Sequence, residues 1–434
     1  MSRRDPAPRV RPVVDKHVKY GERLGASEAV ELAAIGLEAE FTVILDGKPV
    51  KPEDVFKSPR RIIRGPLMHR TGRSYHLPTG GAVYFDTGVI EIATPTIELG
   101  PGCAARAGRS LWESIRFLRE ELDAWERVNN KKVELAGFSA HYNISFDIPD
   151  ATRGRRTVER LAWLLTHIIP FPVMLLAANR KSTGIGVRPR GNRVEITADF
   201  TPDASLMIAS ATAAVGIVRQ VMTWESFELS ELKKHNVPCL ETFVPGKASS
   251  RQGWVARFDS FDRNPFLSDV NLRRWHTTDG RVVSLRELGR EVIEIFRPTI
   301  ERYADERSIK LIDAVMSGEV HSLLDLDDRP AAYESVGKLC TWADLFPVRA
   351  LARSRYERVF IRAIARVPLR IHGKRYVPVG MKGWSHVVFR RETDGTKHAF
   401  SLDFLLRHLS QWDIQARRES RVGKALERRL ERRV

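Results

Sequence analysis

Four stretches of the chain alternate apolar and polar residues at the two-residue period of a β-strand. The first runs over 36–45, where Leu37, Ala39, Phe41 and Val43 alternate with Glu38, Glu40 and Thr42. The second lies within 81–95 and carries Asp86 and Glu91. The third, 137–146, sets His141, Asn143 and Ser145 against Tyr142, Ile144 and Phe146. The fourth, 188–199, carries Arg188, Arg190, Arg193 and Glu195. Helical periodicity takes over elsewhere. Leu111, Ile115, Leu118, Leu122 and Trp125 repeat at three or four residues and predict a helix over 111–128. Further helices are predicted over 158–169 and 204–228, and helical periodicity dominates 286–320. After these come a helix over 347–365, short strands over 370–379 and 386–391, and a helix over 402–412.

The polar faces of the strands carry the chemistry. Side chains alternate across a strand, so Glu38 and Glu40 share a face about 7 Å apart. Two carboxylates so placed repel each other unless a positive charge lies between them. Hard oxygen ligands on a rigid sheet suit Mg²⁺ or Mn²⁺, commonly with bound phosphates. A histidine on the same sheet, His141, can complete a divalent site, and Asn143 can orient a phosphate or a water. Arg193 and Glu195 again share a face, and the nearby Arg188 and Arg190 make a cluster suited to bidentate phosphate binding.

Composition narrows the class. The chain has 434 residues and is ordinary in its hydrophobic, Gly and Pro content, which predicts a globular protein. Cys103, Cys239 and Cys340 are far apart, which argues against a disulfide framework or a zinc ribbon and for reduced thiols in a cytoplasm. The N-terminal residues lack an apolar run of the signal-peptide kind. The uncharged stretch 161–178 contains His167, Pro170 and Pro172, which predicts a buried core helix ending near Ile169 and not a membrane span. The net charge of +17 permits acidic macromolecules, polyanionic small molecules or nucleic acid. No zinc-finger spacing or nucleic-acid-binding motif favours the last. The arginines Arg355, Arg358, Arg362 and Arg366 along one helix face offer either a solvated surface or a binding face for an acidic partner.

The order Glu-x-Glu, Asp-x4-Glu, His-x-Asn and Arg-x-Glu resembles the glutamine synthetase-like carboxylate–amine ligases, and within them most nearly the Pup ligases and depupylases. Gly36 to Phe41 resembles their Gly-Ile-Glu-Thr-Glu-aromatic stretch. Gly81 to Pro95 keeps their Asp-to-Glu spacing, and Ser139 to Asn143 resembles their Gly-x-His-x-Asn with Ser in place of Gly. The 334–338 stretch resembles a further motif without its Trp. The family's histidines after the catalytic aspartate are absent, and Arg193-Val-Glu195 is nearer to the glutamate–cysteine ligases.

This resemblance implies an α+β fold, a glutamine synthetase-like curved antiparallel sheet packed with helices. It implies a catalytic domain over 33–345, and the chain pattern adds a basic arm over 1–32, a small C-terminal α/β subdomain over 346–415 and a basic tail over 416–434. It also implies a cytoplasmic ATP- and Mg²⁺-dependent ligase acting through an acyl phosphate, with Mn²⁺ as an alternative ion. Glu38, Glu40 and Glu91 are then the leading metal ligands, with His141 and Glu195 next. His141, Asn143, Arg188, Arg190 and Arg193 hold the nucleotide, Arg193 stabilises the transferred phosphoryl group, and Asp86 is the base toward the amine. The implied partners are ATP, a small acidic protein modifier and a lysine-bearing acceptor protein. Three other readings stay open: a small-molecule ligase of the glutamate–cysteine kind, a depupylase-like amidase, and a basic nucleic-acid-binding protein on a decayed ligase fold. The short connection between Glu40 and Asp86 leaves little room for a depupylase insertion and favours the ligase direction.

Overall fold

The computed structural model describes residues 33–145, 157–201, 203–248, 253–325 and 351–416. The arm expected over 1–32, the 334–338 stretch, Cys340 and the tail beyond 416 lie outside them. The described residues form an α+β fold dominated by one twelve-stranded antiparallel sheet. Its central strands, in spatial order, are Ile185–Arg190, Arg193–Asp199, Val133–Ser145, Ala34–Leu45, Val89–Ala93 and Ala82–Asp86. Beyond Ala82–Asp86, the strands Ser74–His76 and Met68–Thr71 complete that edge. All four stretches read as strands from their alternation lie in this sheet.

Alternation explains the sheet's two faces. Along Ala34–Leu45, Ile35, Leu37, Ala39, Phe41 and Val43 are almost fully buried, while Gly36, Glu38, Glu40 and Thr42 point the other way. The apolar face is covered by helices Cys103–Asn129, Val158–Thr166, Pro170–Ala177 and Ala204–Val221. Leu111, Ile115, Leu118 and Leu122 are fully buried beneath it, each contributing about 1.5–3 kcal/mol. A second layer, Leu285–Tyr303 and Glu306–Ser317, packs on the first. A Cβ on Gly216 would lie 2.5 Å from the Ile300 Cα, so glycine is required where Ala204–Val221 crosses Leu285–Tyr303.

Several helical expectations are refined: the 204–228 helix ends at Val221, and the one expected over 347–365 begins at Arg355. The 158–169 helix ends at Thr166, and Pro170 opens a new helix bent by 63° to it, because proline is tolerated in a first turn but not in mid-helix. The 286–320 periodicity resolves into two helices, with Asp305 accepting from the backbone N–H groups of Arg307 and Ser308 as the cap of the second. Ala204–Val221 is long and apolar enough to cross a membrane, and 83% of it is buried inside the protein.

Residues 351–416 form a four-stranded antiparallel sheet, Leu369–Ile371, Lys374–Lys382, His386–Arg391 and Lys397–Ser401, with helices Arg355–Ile364 and Leu402–Arg407. The expected single strand 370–379 is broken by a hairpin at His372 and Gly373, both in the left-handed region. This unit has its own core, which also takes in Ala34 and Met68 of the large sheet. The arginine face of its first helix is partly paired within the protein. Arg358 and Arg362 both pair with Asp413, and Arg355 lies 3.6 Å from Glu98. These contacts fasten the helix to its surroundings.

The two units are linked through Arg109, whose Nη2 donates to both oxygens of the fully buried Glu357 at 2.6 and 2.7 Å. Its Nη1 donates to the Leu351 carbonyl at 2.6 Å. Replacing one member strands the other charge out of water. Glu357→Leu is therefore expected to cost roughly 3–5 kcal/mol, read as a fall in denaturation midpoint, with much of it recovered in the Arg109→Met, Glu357→Leu double variant.

Candidate active site

The polar face of the sheet gathers charged side chains because strand register brings them level. Glu38 pairs with Ala93 on one side and His141 on the other, and Glu40 with Glu91 and Ser139. Next in the row, Glu195 lies opposite both Asn143 and Arg188. A bulge between Glu40 and Phe41 shifts the register so that Phe138 becomes the extra residue. Gly137 there lies so close to the Phe200 ring that a Cβ would fall 2.2 Å from it.

Ligand atoms of Glu38, Glu91 and His141 lie within 4.8 Å of one another. Two carboxylates and an imidazole form a donor set suited to Mn²⁺ or Mg²⁺, completed by water or phosphate oxygens, and only a small contraction would bring it to bonding distance. The surroundings hold these groups in place. Tyr84 donates its hydroxyl proton to Glu91, Ser139 donates to Glu40 at 2.6 Å, and His141 Nδ1 lies 3.3 Å from Glu38.

The electrostatics follow from crowding anions out of water. Burial, then the charge of Glu38, drives the Glu91 carboxyl up to about 9. Burial would also raise Glu38, but the hydrogen bond and charge of His141 pull it below the ordinary carboxylate value. Burial would lower His141, yet the Glu38 hydrogen bond and the charges of Glu40 and Glu38 raise it. The ion-free cluster therefore carries protons that a divalent cation would displace.

The other expected residues fall around this core. Glu195 is outside the three-residue group, because both its oxygens accept from guanidinium groups: Arg188 at 3.0 Å and Arg190 at 2.9 and 3.0 Å. Burial alone would raise this carboxyl, but the Arg190 hydrogen bond and the His141 charge outweigh it and bring it to about 2. Glu40 likewise stands beside the group, 3.8 Å from His141 Nε2. Arg193 donates to Asn143 at 2.8 Å. Asp86 ends its strand at a tight turn made by Thr87 and Gly88, both in the left-handed region, and accepts from the Thr87 hydroxyl at 2.9 Å. It shares a face with Tyr84, one step beyond the Tyr84–Glu91 pair.

Between this face and the small sheet opens a cleft of about 480 Å³, lined by Gly36, Glu38, Arg70, Asn143, Arg193 and Trp384 among others. Sequence reasoning missed Tyr84, Arg70 and Trp384. The Tyr84-Phe85-Asp86 alternation could have placed Tyr84 on the Glu91 face; Arg70 and Trp384 carry no local signal.

No family model matches the chain, and no curated protein is similar to it in sequence. It is similar to a solved structure of the complex between the prokaryotic ubiquitin-like protein Pup and its ligase PafA, with 11% identity and a TM-score of 0.46 over 87% of this chain and 92% of that one. It is also similar to the Pup ligase PafA in complex with ADP, with 13% identity and a TM-score of 0.37 over 62% and 65% of the two chains. Likeness this loose carries no argument, and the functional reading rests on the site.

Proposed function

We propose that this chain is an ATP-dependent carboxylate–amine ligase that uses Mg²⁺ or Mn²⁺. The observation that carries the reading is the Glu38, Glu91 and His141 group on a rigid sheet face, opening beside an arginine-lined cleft. A divalent ion held by such a group is what a triphosphate needs on one side, and Arg193 supplies a second cation on the other.

A carboxylate is a poor electrophile. Transfer of the γ-phosphoryl group of ATP to one of its oxygens releases ADP and leaves an acyl phosphate; amine attack then forms the amide bond and expels phosphate. Bound at Glu38, Glu91 and His141, with Glu40 adjacent, the divalent ion would screen the triphosphate and the transferring group. Arg193, oriented by Asn143, holds the phosphoryl oxygens, and the Glu195 salt bridges fix Arg188 and Arg190 at the edge of the row. Asp86 takes the proton that the attacking amine must lose.

The net charge of +17 supports a small acidic protein as carboxylate donor; the proposed acceptor is a protein lysine, in a cytoplasmic setting. Incubation of the protein with ATP, Mg²⁺ and cell extract should yield ADP together with a protein whose mass has grown by that of a modifier less one water. A new small amide in its place would move the assignment to a small-molecule ligase. Release of ADP with no amide of either kind, or no ATP turnover at all, would sink the ligase reading.

A further inference from the structure

On the polar face Arg188 and Arg190 share Glu195, and on the first helix of the C-terminal unit Arg358 and Arg362 share Asp413. Arg70 differs. It lines the cleft, yet no carboxylate pairs with it among the described residues. Its guanidinium carbon lies 5.2 Å from the centre of the Trp384 ring and 5.8 Å from that of Tyr84, within the range at which a cation is held over an aromatic face. Its Nη1 donates a long hydrogen bond to the Ser74 hydroxyl at 3.4 Å, and its buried Nε has no partner among the described residues. His76 does not share the charge. Lying edge-on to Trp384 and fully buried, it is held neutral, its imidazole lowered to about 3 by burial and by Arg70 itself.

A guanidinium within cation–π range of two rings, with a donor unspent and lining a cleft, suits an oxyanion. Arg193, which donates to the neutral Asn143, lines the same cleft. We propose that Arg70 binds an oxyanion of the cleft's ligand, distinct from the one held by Arg193. The cleft thus takes a ligand set with two anionic groups. This deepens the reading of the cleft as the substrate site and does not depend on any chemical step. Because Trp384 belongs to the C-terminal unit and Tyr84 to the large sheet, the clamp forms only when the two are docked. A carboxylate and a phosphate are both suitable, and they have different sources: the carboxylate donor or the nucleotide.

The test is equilibrium calorimetry on the full chain, with tripolyphosphate and ADP in one arm and glutarate in the other. Arg70→Met should weaken at least one arm by roughly 10- to 100-fold, the loss expected for charge-assisted hydrogen bonds. Loss in the phosphate arm assigns the nucleotide, and loss in the carboxylate arm assigns the donor. Arg70→Lys, which keeps the charge without the fork, should show a smaller loss, and it serves in place of Arg70→Met should the latter fail to fold. Arg116→Met, at an exposed helix position, should bind as the wild type does. Unchanged affinity in both arms for a folded Arg70 variant overturns the proposal, as does a wild type that binds none of the three probes. No turnover is read, so failure of the ligase reading would show up separately.

Discussion

Glu38→Gln and Glu91→Gln will each weaken Mn²⁺ binding by more than about 10²-fold while leaving the fold intact. Even losing a partner outside the coordination sphere of a metal typically costs 10- to 100-fold, and these changes remove a charged ligand outright. Glutamine keeps the shape and the hydrogen-bonding capacity, so the Tyr84 contact to residue 91 survives and packing is not the variable. The proton inventory sharpens the test. With Glu91 raised to about 9, the ion must displace its proton, so wild-type affinity should rise by up to tenfold per pH unit between pH 6 and 8.

The ion-free protein should behave in the opposite sense. Glu91 binds its proton more tightly folded than unfolded, so its contribution to stability is complete below the ordinary carboxylate pKa and is lost as pH rises towards about 9. The slope is at most about 1.4 kcal/mol per pH unit for this one group. Glu38, lowered, contributes stability above its ordinary value that is lost only under acid. Thermal melts at several pH values, with and without Mn²⁺, should therefore diverge as pH rises. Unaltered Mn²⁺ affinity in both glutamine variants, or affinity independent of pH, would remove the metal site and the ligase reading with it.

Much of this cluster was legible because it depends on the shortest-range signal in the chain. Alternation alone places Glu38 with Glu40, and His141 with Asn143, on single faces, since Leu37, Ala39 and Tyr142 must be buried opposite them. Which carboxylate would join the imidazole was not legible. That depends on register: Glu40 falls opposite Glu91, while Glu38 falls opposite His141, and register is set by core packing across strands far apart in sequence. The same blindness explains Glu195. Its strand pattern fits a metal ligand, but only the hairpin register with Arg188 and Arg190 reveals that both oxygens are already taken. The pairing of Arg358 and Arg362 was hidden for a related reason. Helical periodicity shows which residues share a stripe but not that Asp413 returns to cover it. The Arg70 clamp lies furthest from the sequence, because it needs the small sheet docked on the large one.

Asp86→Asn tests the residue whose place depends on the tight turn at Thr87 and Gly88. An amine is protonated at neutral pH and has no lone pair for attack, so a carboxylate on the acceptor side contributes directly to the amide-forming step. Asp86 is suitably placed: it lies on the Tyr84 and Glu91 face but one step outside the metal group, at the exposed end of a hairpin where an acceptor could approach. The asparagine variant should keep nucleotide affinity within a few-fold and lower amide formation by roughly 10²–10⁴, the usual contribution of a general base. The loss should shrink as pH rises towards the amine's own pKa, because free base then supplies what the carboxylate did. That pH-dependent recovery separates a proton acceptor from a residue that merely braces the turn, whose removal would depress the rate equally at every pH. Ligation by Asp86→Asn at the wild-type rate would mean that Asp86 only shapes the hairpin, and the base would have to be sought among the other carboxylates of the row, with Glu40 first.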